Sequence, residues 1–175
     1  LDELMSEIKS AASGAGLSQP FIVGGVPRDR IIGIRQDISD ISDIDLTTGD
    51  KDSLRLEELI GKRFPNSGFN VYDDGHASVD VMGVHIDFSS NFIIPNIDGE
   101  LEKKGVRNAD NMKKELYSRD FTINTLLESL DFTTIYDLTN EAIADIRSGI
   151  IRCPIDANIT IGTDPRRILR AIKFS

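Results

Sequence analysis

The apolar positions of this chain change spacing several times, and each spacing predicts an element. Leu1, Leu4, Met5 and Ile8 recur at helical intervals, and Gly14 and Gly16 end that segment. Pro20-Phe21-Ile22-Val23 reads as a short buried strand running into Gly24-Gly25. Pro27 then stands where a helix accepts a first-turn proline, with Ile31, Ile32 and Ile34 as the expected buried side. Residues 43–46 alternate acidic and apolar, which predicts a second strand, and Ser53 is the expected N-cap of a helix reaching about Lys62. Residues 78–81 and 84–88 alternate in polarity around Met82-Gly83, the pattern of a hairpin. Residues 91–108 mix proline, glycine and charge and predict a loop. A helical region follows over about 111–130, with a break near Ser118. Short strands at 133–136 and 150–153 are expected around a helix at 141–147. Residues 164–175 are amphipathic and reach the last residue without a stop signal, so the native chain is expected to continue.

A length of 175 residues with 39% hydrophobic side chains suits one globular domain, or a small domain with the start of a second. No apolar run approaches the ~20 residues that cross a bilayer, so no membrane partner is expected. Cys153 is the only cysteine and can neither form an internal disulfide nor build a zinc cage alone, so a reducing, cytoplasmic setting is expected. The net charge of −9 is unevenly spread. Residues 1–100 carry 8 basic against 18 acidic side chains, whereas residues 101–175 carry 12 against 11. Such a surface is poorly suited to gripping a nucleic-acid backbone broadly, and its acidic half favours a site that uses divalent cations.

Four local patterns carry candidate chemistry. In Val23-Gly24-Gly25-Val26-Pro27-Arg28, a strand, two glycines and a helix start could cradle an anion with backbone N–H groups, Arg28 completing it; alone, the same pattern is an ordinary turn. On a strand, Asp43 and Asp45 share one face and would repel unless a cation lay between them, which magnesium could supply; alone, they could equally be a solvated strand edge. Asp87 sits among apolar neighbours, where a carboxylate needs a partner or metal, and Asp80 competes for that role. Finally, Asp120 and Asn124 in Ser118-Arg119-Asp120-Phe121-Thr122-Ile123-Asn124 are four apart, as are Arg166 and Arg170. Asp164–Arg167 and Arg167–Arg170 are three apart. A helix cap and an exposed arginine stripe are the plain alternatives. His76 and His85 fit no ligand pattern and are expected at the surface.

In combination the patterns say more. Gly-Gly-x-x-Arg-Asp, Asp-Ile-Asp-Leu-Thr-Thr, Arg-Asp-Phe-Thr-Ile-Asn and Asp-Pro-x-Arg-Ile-Leu-Arg, in that order, resemble the head of the class II tRNA nucleotidyltransferase (CCA-adding) and bacterial poly(A) polymerase family from about Phe21 to Ser175. The resemblance implies an α+β nucleotidyltransferase (polymerase beta-like) fold, a small mixed sheet backed by helices. It places the head over 1–137 and the end of the head with the start of a helical neck over 138–175. It implies template-independent addition of C and/or A to an RNA 3′ end, most fittingly CCA addition to tRNA, with ATP and CTP as substrates and two Mg²⁺ ions. A poly(A) polymerase or a partial A- or C-adding enzyme is the alternative within the family. A small-molecule or protein nucleotidyltransferase, or a non-catalytic nucleotide-binding domain, is the alternative outside it. By the same resemblance Asp43 and Asp45 are the metal ligands and Asp87 the third catalytic carboxylate. Gly24, Gly25 and Arg28 hold the triphosphate. Asp120, with Arg119 and Asn124, reads the ribose. Asp164 and Arg167, with Arg170 close by, select the base. The RNA itself is expected to be held mainly by regions beyond residue 175.

The chain departs from the family pattern at four places. Thr163 stands where Glu is common before Asp164. The strand of Asp87 runs into Ser89-Ser90-Asn91 without the usual arginine, leaving Arg63 or Lys62 to supply a cation. Pro27 replaces a small or branched residue, and the turn at 137–140 lacks a glycine.

Overall fold

The computed structural model describes residues 1–34, 37–65, 67–72 and 76–175, which form two compact units. The first comprises residues 1–91 and 127–136, the second residues 92–126 and 137–175.

The first unit is built on a mixed seven-stranded sheet. In chain order its strands are β1 (Phe21–Val23), β2 (Asp43–Thr47), β3 (Gly68–Val71), β4 (Ala77–Val81), β5 (Val84–Phe88), β6 (Leu127–Glu128) and β7 (Ile135–Tyr136). They lie in the order β3-β4-β5-β2-β1-β6-β7, with β2 and β5 parallel and every other pair antiparallel. The helices are α1 (Asp2–Gly14), α2 (Gly25–Ile32) and α3 (Asp52–Arg63). The alternation seen in the sequence does the sorting. Ile44 and Leu46 of β2 and Ile86 and Phe88 of β5 form one core with Leu4, Met5 and Ile8 of α1 and Leu56 and Ile60 of α3. Asp43, Asp45, His85 and Asp87 must then face the other way. Met82 and Gly83 both adopt positive φ in the β4–β5 turn, the conformation that a two-residue hairpin requires.

The second unit contains α4 (Ile97–Lys103), α5 (Asn111–Tyr117), α6 (Ala142–Ser148), α7 (Ala157–Thr163) and α8 (Arg167–Phe174). Ile94, Ile97, Leu101, Tyr117 and Ile155 form its apolar core.

Several expectations need correction. The segment 91–108 contains α4, held by Ile94, Ile97 and Leu101 at helical spacing. The helix from Asn111 stops at Tyr117. There the Ser118 hydroxyl donates to the Lys114 carbonyl and accepts from the Ile94 N–H, while the Asp120 carboxylate accepts from the Phe121 N–H. A short 3-10 turn (Thr122–Asn124) and β6 follow. Residues 150–153 form no strand; the Arg152 carbonyl accepts from the Thr122 N–H at 2.8 Å without a ladder. Ser53 lies inside α3 rather than capping it, and its hydroxyl accepts from the Thr48 N–H. Ile32 and Ile34 are exposed, because α2 ends at Gly33 in the left-handed conformation. Asn140 takes positive φ in the turn that lacks a glycine, a conformation asparagine tolerates.

Candidate active site

The register of three strands assembles the acidic face. Across the parallel β2–β5 pair, Asp43 lies opposite His85 and Asp45 opposite Asp87. One ligand atom each from Asp43, His85 and Asp87 can be chosen within 4.8 Å of one another. Asp80 lies one strand farther out on β4, opposite His85, and accepts from His85 Nδ1 at 2.7 Å. Asp87 is therefore the acid beside the Asp-x-Asp pair, and Asp80 is the acid that holds the imidazole. The Asp80 hydrogen bond raises the His85 pKa, opposed by partial burial and helped by the charges of Asp87, Asp80 and Asp43. His85 is thus part of the acidic face rather than an isolated surface residue. Its position two residues before Asp87 carried that signal, since alternate strand residues share a face.

The paired glycines belong to the same end of the sheet. Val23 of β1 lies opposite Asp45 in antiparallel register, so the chain leaves β1 into Gly24 and Gly25 alongside the Asp43 end of β2. Gly24 caps α2 with φ of +82°, a conformation closed to most L side chains. Gly25 is different: a Cβ there would meet only Arg28 Nη2, at an ordinary 3.6 Å. Gly24→Ala is expected to cost about 1–2 kcal/mol in a denaturant melt, whereas Gly25→Ala should stay within about 0.5 kcal/mol of the parent. Arg28 donates through Nε and Nη2 to Asp29 Oδ1 at 2.8 and 2.7 Å. Lys62 pairs with Glu58 and Arg63 with Glu7, so both stay with the helices covering the opposite face of the sheet.

In the second unit, Asp120 is the hub of a polar network. Its Oδ1 accepts from the Phe121 N–H and from Asn124 Nδ2 at 3.0 Å, and its Oδ2 pairs with Arg170 Nε at 2.9 Å. Arg170 also lies 3.7 Å from Asp164 Oδ2. Arg166, which sequence reasoning left without a role, donates to Asp164 from both its side chain and its backbone N–H, and this holds the Asp164 carboxyl below the usual carboxylate range. Thr163 donates to the Ile159 carbonyl and gives Asp164 no support. Arg119 pairs with Glu115. Arg167 is buried, its Nη groups donating to the carbonyls of Ser118, Arg119 and Thr160 while its Nε finds no partner among the described residues. The structure therefore joins Asp120, Asn124, Asp164 and Arg170, and ties the Arg167 side chain to backbone carbonyls instead of to the Asp164 carboxylate.

The profile of the poly(A) polymerase head domain matches residues 20–152. The chain belongs to that family. Its mixed sheet and helices are the α+β nucleotidyltransferase fold that the resemblance implied. The tRNA nucleotidyltransferase of Schizosaccharomyces pombe is 26% identical over 170 residues, 87% of this chain and 32% of that protein. The A-adding tRNA nucleotidyltransferase of Geobacter sulfurreducens is 29% identical over 166 residues, covering 88% of this chain and 17% of that one. Among solved structures, the Thermotoga maritima CCA-adding enzyme complexed with tRNA aligns with a TM-score of 0.69 and 28% identity, covering 98% of this chain and 36% of that one. A CCA-adding enzyme complexed with ATP aligns at 0.68 and 29%, covering 98% and 37%. The chain thus spans about a third or less of the curated relatives described here. Among the described residues, no helix is long and apolar enough to cross a membrane.

Proposed function

We propose that this chain carries the reaction centre of a template-independent RNA nucleotidyltransferase that adds C and/or A to an RNA 3′ end, with tRNA as the acceptor. The observation that carries the reading is the juxtaposition of Asp43, Asp45 and Asp87 on one sheet face, beside the end of the strand that leads into Gly24-Gly25. The reaction is an in-line displacement at the α-phosphate of a nucleoside triphosphate by a 3′-hydroxyl, with pyrophosphate leaving.

An oxygen-rich, solvent-reachable face of this kind fits magnesium, and Asp43 and Asp45 would hold it. When bound, two such ions supply charge stabilisation for the attacking and leaving oxygens. Asp87, the third carboxylate of this face, would help activate the attacking hydroxyl. The Gly24 and Gly25 N–H groups, at the start of α2, and Arg28 offset the charge of the triphosphate. The open space at Gly25 agrees: the protein alone does not require glycine there, but a closely approaching phosphate would. Asp120, kept in place by Asn124 and Arg170, accepts from a ribose 2′-hydroxyl; Arg119 supports this stretch through Glu115.

Base choice follows from donor and acceptor pattern. Cytosine and adenine both present an exocyclic amine beside a ring-nitrogen acceptor. The Asp164 carboxylate accepts from the amine, and the unpartnered Nε–H of Arg167 donates to the ring nitrogen. Uracil and guanine offer a carbonyl and a ring N–H there, opposed to both groups, and a mismatch leaves polar groups unpaired.

The test uses the whole protein that contains this chain, a tRNA lacking its 3′-terminal CCA, and each labelled triphosphate in turn. Incorporation from CTP and ATP but not UTP or GTP is expected. Incorporation of all four at similar rates, or transfer only to a small-molecule acceptor, would overturn the reading. Arg167→Lys should relax selectivity for CTP and ATP over UTP and GTP by at least about tenfold, because lysine has no N–H at the Nε position to meet the ring nitrogen. Unchanged selectivity in that variant would remove Arg167 from base reading.

A further inference from the structure

His85 is one of two histidines in the chain, and no motif uses it. It faces Asp43 across β2, Asp80 across β4, and shares its own strand face with Asp87. Its Nδ1 lies 2.7 Å from Asp80 Oδ1. An ionised carboxylate only accepts, so the Nδ1 proton belongs to that bond. Nε2 then stands 3.4 Å from Asp87 Oδ1. With this tautomer, Nε2 presents its lone pair beside the Asp87 and Asp43 carboxylates on a solvent-reachable face, a donor set that a metal ion can take up. A metal ion there explains Asp80. Histidines that ligate metals almost always donate their other ring N–H to a carboxylate or carbonyl, which fixes the tautomer and aims the lone pair. Asp80 lies one strand outside the Asp43–His85–Asp87 cluster and does this here.

We propose that His85 Nε2 is a direct ligand in the cation site of Asp43 and Asp87, with Asp80 as its positioning residue. The proposal rests on the reading of this face as a metal centre and adds a nitrogen donor to it. Magnesium favours oxygen donors, whereas imidazole raises affinity for first-row transition cations such as Co²⁺ and Zn²⁺. The site should therefore bind Co²⁺ through three protein ligands and Mg²⁺ chiefly through its carboxylates.

Two measurements on the whole protein that contains this chain test this. In protein labelled with ¹⁵N-histidine, Zn²⁺ should shift the Nε2 resonance of His85 strongly while His76 stays in place; the spectrum of His85→Ala assigns the pair. By calorimetric titration, His85→Ala should bind Co²⁺ at least about tenfold more weakly, with Mg²⁺ affinity changed less than about twofold. Zn²⁺ occupancy that leaves both His85 ring nitrogens unmoved would overturn the proposal without depending on any variant. Equal Co²⁺ affinity in parent and His85→Ala would do the same. Asp43→Asn separates the two levels. If it abolishes binding of both cations while His85→Ala alters neither, the metal centre stands and the imidazole ligand falls. If Asp43→Asn also leaves binding unchanged, the metal reading itself fails.

Discussion

Asp43→Asn, made in the whole protein that contains this chain, is expected to lower nucleotide incorporation by at least about a thousandfold while leaving the melting transition within about 0.5 kcal/mol of the parent. Both halves follow from the same placement. Asp43 is exposed at the start of β2, outside the core built from Ile44 and Leu46, so its charge contributes little to folding. Loss of one carboxylate from a metal centre removes several kcal/mol of charge stabilisation, and each 1.36 kcal/mol is tenfold in rate. Rate assays against a matched thermal melt check it. A variant that incorporates nucleotide at the parental rate would take Asp43 out of the reaction; one that fails to fold would show that the acidic face is structural.

The second large effect lies in the core of the same unit and concerns stability. Glu128 of β6 is fully buried, pairs with Arg30 Nη1 at 2.6 Å, and leaves Oε2 without a hydrogen-bond partner among the described residues. Burial pushes its pKa up to about 7, against the lowering influence of Arg30. A raised carboxyl pKa means that the folded state binds the proton more tightly than the unfolded chain. The associated stability is therefore complete below about pH 4.5 and is lost as pH rises through 7, on the order of 3 kcal/mol in total. Glu128→Gln should flatten that slope. Arg30→Met should cost about 3–5 kcal/mol at pH 8, where it strands a buried charge, and much less at pH 5, where the carboxyl is neutral. Denaturant melts at the two pH values read both effects. A parent stability that rises between pH 5 and 8, with the rise abolished by Glu128→Gln, would contradict the assigned direction.

The parts of the fold legible in the sequence are those where one face is buried. β2 and β5 alternate cleanly because helices cover one side, and the same alternation exposed the side-by-side placement of Asp43 and Asp45. β3 is hard to read from the sequence because it is only four residues long and all of them are exposed, although Phe69 and Val71 alternate with Gly68 and Asn70. α4 was hidden by Pro95, Gly99 and mixed charge, although Ile94, Ile97 and Leu101 held the helical spacing. β6 was mistaken for helix because Leu126, Leu127 and Leu130 also fit a helical period. The break near Ser118 was expected, but its extent depended on side chains far along the sequence: Arg167 takes the carbonyls of Ser118 and Arg119.

In the candidate site, spacing brought out the acids and glycines but not their partners. Arg167 spends three hydrogen bonds on backbone carbonyls and leaves Nε–H unpaired among the described residues, which no three-residue interval with Asp164 could reveal. Arg166 emerged as the partner of Asp164 only once the end of α7 was turned. His85 was passed over because a histidine between apolar residues has no motif, whereas register with Asp43 and Asp80 gives it one.

The central claim is that the Asp43–Asp45 face binds cations next to a triphosphate seated on Gly24-Gly25. Crystals of the chain grown with ATP and Mn²⁺, measured at a wavelength where manganese scatters anomalously, test it directly. The account predicts anomalous peaks within coordination distance of both Asp43 and Asp45, with the phosphates against the backbone of Gly24 and Gly25. Nucleotide bound elsewhere, or manganese that contacts neither aspartate while the triphosphate is in place, would contradict it.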